Sequence, residues 1–235
     1  MKTNSIIILA TLLFSSCNMN CITGEGPVEE RVLQVASFTG IEAGGSMQVL
    51  IEKGTEQRIT VRAQSNLIDL LNTEVKGNTW RIRPTTCFRS DSEFTVHIIT
   101  PSLINDVEAH GSADIVAQNV FGSGNTELST SGSSTITVAG INEKELDLDI
   151  SGSGAITIKG TCSKLEASLS GSGDLHAQEL TANEADVKVS GSGQATLVAI
   201  SKLNAKVSGS GAVRYGGKPN VSSSVSGSGS VTPME

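Results

Sequence analysis

The chain has 235 residues, of which 37% are hydrophobic, and it carries a formal net charge of -7 at pH 7. This length and apolar content can supply one large buried core or two small ones. Lysine and arginine form no cluster anywhere in the sequence. The chain therefore lacks the basic footprint of a nucleic-acid-binding protein, and we predict no nucleic-acid partner.

The chain begins with the pattern of an export signal. Lys2 provides a positive charge, residues 6–14 form an apolar run too short to span a bilayer, and Ser15, Ser16 and Cys17 follow. The letters LFSSC resemble the lipobox of bacterial lipoproteins, which implies cleavage before Cys17 and diacylation of that residue. We therefore predict a lipoprotein signal peptide over residues 1–16 and lipid attachment at Cys17. An ordinary secretory peptide cut near the same place is the alternative.

The predicted lipid holds the mature chain at a membrane surface without spanning it. Asn18, rather than an aspartate, follows the cysteine and favours the outer membrane, on either its cell-surface or its periplasmic face. Residues 17–31 are mostly polar with glycine and proline after the anchor, and we expect them to form a lipid-anchored tether.

Residues 32–105 are rich in alternating apolar and polar positions, as in MQVLIE, QRITVRA, TWRIR and EFTVHIIT. Such alternation predicts strands, arranged either as a cap or as the irregular first coils of the repeats that follow. One short helix is expected near Ser65. Aromatic residues are scarce in this chain, and Trp80, Phe88 and Tyr215 are the candidates for stacking on a carbohydrate. Two of the three lie here, so this segment is the predicted place for a ligand groove.

Residues 106–235 contain a repeated marker, an apolar residue followed by Ser-Gly-Ser-Gly or a degraded form of it. The first glycine of each copy recurs every 18 to 21 residues, at Gly111, Gly132, Gly152, Gly171, Gly191, Gly209 and Gly227. A flexible linker has no reason to keep a period, whereas a repeat built from one structural unit per period must keep it.

Alternating apolar positions lie on both sides of each marker and predict at least two short strands per repeat. Segments of variable length, such as GINEKE and GTCSK, separate these strands, and the glycines form the sharp corner because they tolerate positive φ. The predicted fold is therefore all-β, a right-handed parallel β-helix (solenoid) with coils of about 18–21 residues.

One outward position of the repeat carries an acidic residue in five successive coils. These residues, here called the acidic column, are Asp106, Glu127, Asp147, Glu166 and Asp186. Carboxylates at neighbouring-coil spacing repel one another, although salt screens a solvated face. The column is either such a solvated face or a surface that binds divalent cations or a basic partner.

No catalytic constellation is readable in the sequence. His97, His110 and His176 are assigned to different registers of the repeat, and the serines are explained as corner residues. Of Cys21, Cys87 and Cys162, two could form a disulfide, but spacing does not choose the pair, and none has metal-ligand spacing. We therefore predict no enzyme activity, no cofactor and no metal site.

Several stretches together resemble the lipoproteins that carry the auto-transporter adhesin head domain, also called the head GIN domain. These stretches are FTGIEAGGSMQVLIEKG, SNLIDLLNTEVKGNTWRI, ITPSLINDVEAHGSADI and the run of markers. The resemblance as a whole extends over roughly residues 32 to 231. The resemblance implies a right-handed β-helix at the cell envelope with an adhesive role, and it supplies no catalytic residues. Fold alone does not establish function.

The expected function is a non-enzymatic adhesin or interaction module that binds an unidentified protein or glycan, with self-association as a further option. The main alternative is a glycan-binding or glycan-processing β-helix, which a cluster of acids with arginine in one cleft would favour. A structural or regulatory envelope protein that pairs with another subunit is the third.

Overall fold

The computed structural model describes residues 21–84, 86–89 and 92–234. The predicted signal peptide and Cys17 lie outside the described residues. In the part of the chain that the structure describes, no helix has both the length and the apolar character that crossing a membrane requires.

The structure is built from nineteen strands and one short helix among the described residues. The N-terminal elements are β1 (Ile22–Thr23), β2 (Val28–Leu33), β3 (Gly40–Gly45), β4 (Gln48–Lys53), β5 (Arg58–Gln64), α1 (Ser65–Ile68), β6 (Val75–Lys76), β7 (Thr79–Ile82), β8 (Phe88–Arg89) and β9 (Thr95–Thr100). The later strands are β10 (Asp106–Gly111), β11 (Asp114–Gln118), β12 (Asn125–Gly132), β13 (Thr135–Gly152), β14 (Ala155–Gly171), β15 (Asp174–Gly191), β16 (Gln194–Gly209), β17 (Ala212–Gly216), β18 (Asn220–Gly227) and β19 (Ser230–Pro233).

The repeats form a right-handed parallel β-helix, as the sequence predicts. From β10 to β19, each coil pairs in parallel with the next, and the marker glycines lie directly over one another. All seven markers have positive φ, between 73° at Gly111 and 126° at Gly191. The corner therefore depends on glycine in every coil.

The core is a set of apolar columns inside the coils. One column contains Val107, Leu128, Leu148, Ala167 and Val187 in register, each at most 3% exposed. Successive side chains of a strand point to opposite faces, so the alternation in the sequence places every second residue in this interior. A single coil could not bury these residues alone, which is why the repeats occur as a stack.

The regular coils are more continuous than the sequence suggests. Instead of two short strands separated by a loop, each of β13 to β16 is one strand of 16 to 18 residues that runs from corner to corner. The differences in length between these segments are accommodated by register shifts in the pairing of neighbouring strands, for example between Val138 and Ile141 in β13. Glycines with positive φ at Gly140 and Gly160 allow the chain to bend there without leaving the hydrogen-bonded ladder.

The N-terminal coils do not stack in the order of the sequence. Strand β3 pairs in parallel with both β10 and β7, and β4 pairs in parallel with both β11 and β9. The coil formed by β7 and β9 therefore lies outside the coil formed by β3 and β4, although it comes later in the chain. Strand β5 then pairs antiparallel with both β9 and β2 and closes this end of the stack.

The cysteines that the sequence left unassigned are resolved. Cys21 and Cys87 form a disulfide with a Cα–Cα distance of 4.6 Å, and Cys162 is a free thiol buried in the core. Burial raises the pKa of Cys162 to about 11, which keeps the unreactive thiol form.

Candidate binding surfaces

The acidic column is assembled as one row of residues in consecutive coils. Asp106 pairs with Glu127, Glu127 with Asp147, Asp147 with Glu166, and Glu166 with Asp186. The row continues through Asn204, whose side-chain amide donates a 2.5 Å hydrogen bond to Asp186. The structure thus brings all five predicted residues together, and their binding role stays a prediction.

The stacking has electrostatic consequences at two of the five carboxylates. Burial, together with the charges of Glu108 and Glu127, raises the pKa of Asp106 to about 6. Burial and the neighbouring charge of Glu166 also raise the pKa of Asp147. Both shifts have the direction expected when carboxylates are partly desolvated beside like charges.

Part of the column is neutralised by its neighbours. The adjacent outward row alternates in charge, with Glu145, Lys164, Glu184 and Lys202 in successive coils. The ammonium group of Lys164 forms an ion pair with Glu166. The coils around Asp106 and Asp147 are therefore the more negative part of the row, and a basic group or a cation would be attracted there first.

A second surface, here called the corner groove, lies at the N-terminal end of the stack. It has a volume of 980 Å³ and lies between the corner that ends β3 and the segment that follows β7. The corner residues Gly44 and Gly45 line one side, and Gly45 has a φ of 93°. Across the groove lie Arg83, Phe88 and Arg89.

The far wall of the corner groove is fastened to the N-terminal segment. Strand β1 pairs in parallel with β8, with Ile22 opposite Phe88. Backbone hydrogen bonds join Ile22 N to Cys87 O at 2.9 Å and Gly24 N to Arg89 O at 2.8 Å. The Cys21–Cys87 disulfide is beside these contacts. The wall is thus held by one covalent bond and a short ladder.

A cluster of charged residues adjoins the groove through Arg83 and His110, which line it. The carboxylate of Glu42 is 8% exposed, and it pairs with Arg81 Nε at 2.7 Å and with the guanidinium of Arg83. His110 Nε2 lies 3.6 Å from the same carboxylate and 3.2 Å from Glu108 Oε2. The opposite ring nitrogen, Nδ1, lies 2.7 Å from Ser131 Oγ, which fixes the ring plane.

The oxygens of Glu42, Glu108 and one nitrogen of His110 lie within 4.8 Å of one another, a spacing that could hold a metal ion. However, both oxygens of Glu42 already contact guanidinium groups, and a cation placed there would meet two fixed positive charges. The more favourable role of Glu42 is to orient Arg81 and Arg83. Sequence reasoning missed this cluster, because Glu42 and Glu108 are 66 positions apart in the sequence and only the pairing of β3 with β10 places them side by side.

The three aromatic residues predicted as candidates for stacking on a carbohydrate lie in different environments. Trp80 is fully buried, donates a 2.9 Å hydrogen bond to Asn72 O and packs on Phe38 at a ring distance of 5.6 Å, so its role as a carbohydrate platform was wrong. Phe88 lines the corner groove, with its ring edge against Phe94. Tyr215 is partly buried against the core in a C-terminal coil, far along the stack from the groove.

The histidine assignment also needs correction. His97 and His176 share one outward row, because Leu50 pairs with His97 and the same row leads through Val116, Thr137 and Thr157 to His176. Five coil steps of about 4.8 Å separate the two rings by roughly 24 Å. They cannot act on one ligand atom together.

A family with the description "Putative auto-transporter adhesin, head GIN domain" matches residues 37–219. No curated protein matches the chain.

Solved structures share the fold at low sequence identity. A "putative adhesin" from Bacteroides fragilis superposes with a TM-score of 0.83 at 21% identity, covering 91% of this chain and 100% of that one. A "putative lipid binding protein" from Parabacteroides distasonis gives a TM-score of 0.75 at 23% identity, covering 91% and 99%. A "putative adhesin" from the same species gives 0.67 at 24% identity, covering 92% and 100%.

Proposed function

The chain belongs to the auto-transporter adhesin head GIN domain family, and on this premise we propose that it is a non-enzymatic adhesion module of the bacterial cell envelope. The observation that carries the proposal is the extent of the family match. Residues 37–219 include nearly the whole solenoid, from β3 to β17. The adhesin-family domain therefore accounts for almost all of the folded chain.

The architecture supports an interaction role. Each coil pairs with its neighbours through a continuous parallel ladder, so the outward rows are held at fixed spacing along the stack. A rigid surface loses little conformational entropy when it binds a partner. The proposed ligand is a protein or a glycan, and self-association of the solenoid is a further proposed contact.

The proposed anchor is the lipid on Cys17. The prediction of a tether over residues 17–31 was wrong for its later part, because Cys21 is bonded to Cys87, Ile22–Thr23 pairs with β8 and Val28–Leu33 pairs with β5. The lipid anchor places the solenoid at the outer membrane, on its cell-surface or periplasmic face. A Cys17→Ser variant should lose incorporation of labelled palmitate and leave the membrane fraction. Retention of the label by this variant would contradict the anchor.

Glycan binding is the candidate that a specific observation favours within this function. The corner groove is lined by Arg83, Arg89 and the ring of Phe88, a combination of charged and aromatic groups that suits a glycan. The cluster of acids with arginine expected of a glycan-directed β-helix is met only in part: Glu42 pairs with Arg83, but no carboxylate is among the described residues that line the groove. Glycan processing is less favoured, because both oxygens of Glu42 are engaged by guanidinium groups and are poorly placed to act as general acid or base.

Two measurements test the adhesion proposal. Protease treatment of intact cells should remove the solenoid if it faces outwards. The purified mature chain should then bind selectively on an array of glycans and matrix proteins, and binding should disappear after thermal unfolding. A chain that is protected in intact cells and binds nothing on the array would contradict the proposal.

A further inference from the structure

The described residues around the corner groove carry an excess of positive charge in an acidic protein. Arg83, Arg89 and His110 line the groove, and no carboxylate is among its described lining residues, while the whole chain has a net charge of -7. Among the described residues no ion pair to Arg89 is found. Clefts that concentrate one sign of charge attract ligands of the opposite sign.

The arginines are also held in place. Glu42 is buried and contacts Arg81 and Arg83 at once, so the guanidinium of Arg83 is ordered at the groove wall. The backbone of Arg89 is positioned by the pairing of β8 with β1, close to the Cys21–Cys87 disulfide, while its side chain is exposed. A preorganised guanidinium binds a carboxylate with two parallel hydrogen bonds and loses little entropy on binding.

The rest of the groove has the surfaces that a sugar ring requires. Phe88 and Pro84 offer apolar faces, and Ser46 and Thr86 offer hydroxyl groups. The corner glycines Gly44 and Gly45 leave one side without side chains, and Gly45 is held at a φ of 93°, a conformation that favours glycine. The volume of 980 Å³ is at the upper end of the range of about 300–1,000 Å³ that is usual for small-molecule sites.

We propose that the corner groove binds a carboxylate-bearing saccharide, with the acid group on Arg89 and Arg83 and the face of a sugar ring on Phe88. This inference rests on the proposed adhesive function and names its ligand class. A simple inorganic anion would use the arginines but not Phe88. A metal ion would use neither.

The test is isothermal titration calorimetry of the mature chain with tri-galacturonic acid at low ionic strength. The neutral probe is the methyl ester of the same trisaccharide, which keeps the ring and removes the charge. The acid should bind at least about tenfold more tightly than the ester, because a charge-assisted hydrogen-bond pair is lost. Added salt should weaken binding of the acid but leave binding of the ester unchanged.

Substitution locates the site. Arg89→Gln should weaken binding of the acid at least about tenfold, and Arg89 is exposed, so the variant should melt with the parent protein. The matched control is Arg214→Gln, which removes an exposed arginine from β17 near the opposite end of the stack and should leave binding unchanged. A Phe88→Ala variant should weaken the acid and the ester alike.

Four results would overturn the inference. The first two are equal affinity of the protein for the acid and the ester, and an equal loss of affinity in Arg89→Gln and Arg214→Gln. The other two are tighter binding of a tetra-glutamate peptide than of the trisaccharide, and cleavage of the trisaccharide to shorter sugars during incubation with the protein. If the trisaccharide fails while the array still shows specific capture, the groove assignment falls and the adhesive function stands. If it binds as expected while intact cells and the array show no adhesion, the groove stands and the adhesive function falls.

Discussion

Replacement of Gly171 by alanine tests whether the corners are stacked as closely as the structure indicates. Gly171 has a φ of 108°, and a Cβ on it would lie 2.6 Å from Gly152 O in the preceding coil. The same oxygen accepts a 2.8 Å hydrogen bond from Ser172 N. The new methyl group must therefore push the two coils apart or displace this bond.

Two effects contribute to the expected loss of the free energy of unfolding in Gly171→Ala. A side chain at this φ costs about 1–3 kcal/mol of backbone strain. Loss of this backbone hydrogen bond, which lies between exposed residues, adds about 0.5–1.5 kcal/mol. Gly124 provides the matched control, because its φ is 103° and nothing lies within 4 Å of a Cβ placed on it. Gly124→Ala should therefore show the strain alone.

The assay is guanidinium denaturation followed by far-ultraviolet circular dichroism, with the free energy of unfolding compared among the parent chain and the two variants. We expect Gly171→Ala to be less stable than Gly124→Ala by about 1 kcal/mol. Equal losses in the two variants, within about 0.5 kcal/mol, would refute the close stacking of the corners.

Four other predictions follow from individual residues. The folded-state pKa of Asp106 is raised from 3.8 to about 6, so ionisation of this carboxyl lowers the stability of the fold as pH rises through that range. Asp106→Asn should therefore raise the free energy of unfolding at pH 7.5 by about 1 kcal/mol, since solvent screening reduces the nominal value of about 3 kcal/mol. The variant should give no gain at pH 4, and an equal gain at both pH values would contradict this prediction. Thr130 Oγ1 is buried without a hydrogen-bond partner in the described part of the chain. Thr130→Val should therefore raise the free energy of unfolding by about 1 kcal/mol, seen as a higher melting temperature. A lower melting temperature would be inconsistent with that environment. Cys162 should resist iodoacetamide in the native protein and react after unfolding, as read by peptide mass spectrometry, since its thiol is buried with a raised pKa; native labelling would contradict its burial. Calcium should release heat on titration and raise the melting temperature if the acidic column binds divalent cations, and an Asp147→Asn variant should reduce both effects; no heat and no shift would dispose of that hypothesis.

The regular part of the fold is readable because its signal is periodic. Each marker glycine is needed at the same corner, so the spacing of Gly111 to Gly227 reports the coil length directly. The alternation between markers identifies the inward residues, such as Leu148 and Val187, which are buried. Position in the repeat also predicts the acidic column, since residues at equal offset from the corner lie in the same outward row.

The N-terminal part is not readable in the same way. Gly45 is an eighth copy of the corner glycine, in register with Gly111, but the sequence there is Gly44-Gly45-Ser46 and the next marker is 66 residues away. The intervening chain passes outside the first coil and returns as β7 and β9, so spacing along the chain no longer equals position in the stack. The letters AGGS at residues 43–46 resemble the corner pattern, and this resemblance was the one sequence signal that could have identified the extra corner.

The corner groove depends on this non-local arrangement. Arg83 and His110 line the same groove although 27 positions separate them, and the wall that carries Phe88 is held by a disulfide to Cys21. Neither the pairing of the cysteines nor the burial of Trp80 follows from composition or periodicity. Aromatic residues alone drew attention to the segment that contains the corner groove, whose ligand stays a prediction, while the buried Glu42 that orients the arginines gives no signal in the sequence.

Adherence of intact cells is the measurement that tests the proposed adhesive function most directly. Cells that lack this chain, cells that carry it and cells that carry the Cys17→Ser form should be compared under flow on surfaces coated with the ligands that the array identifies. The account predicts that only cells with the lipid-anchored chain are retained and that soluble mature chain competes for retention. Equal retention of all three kinds of cell would contradict it.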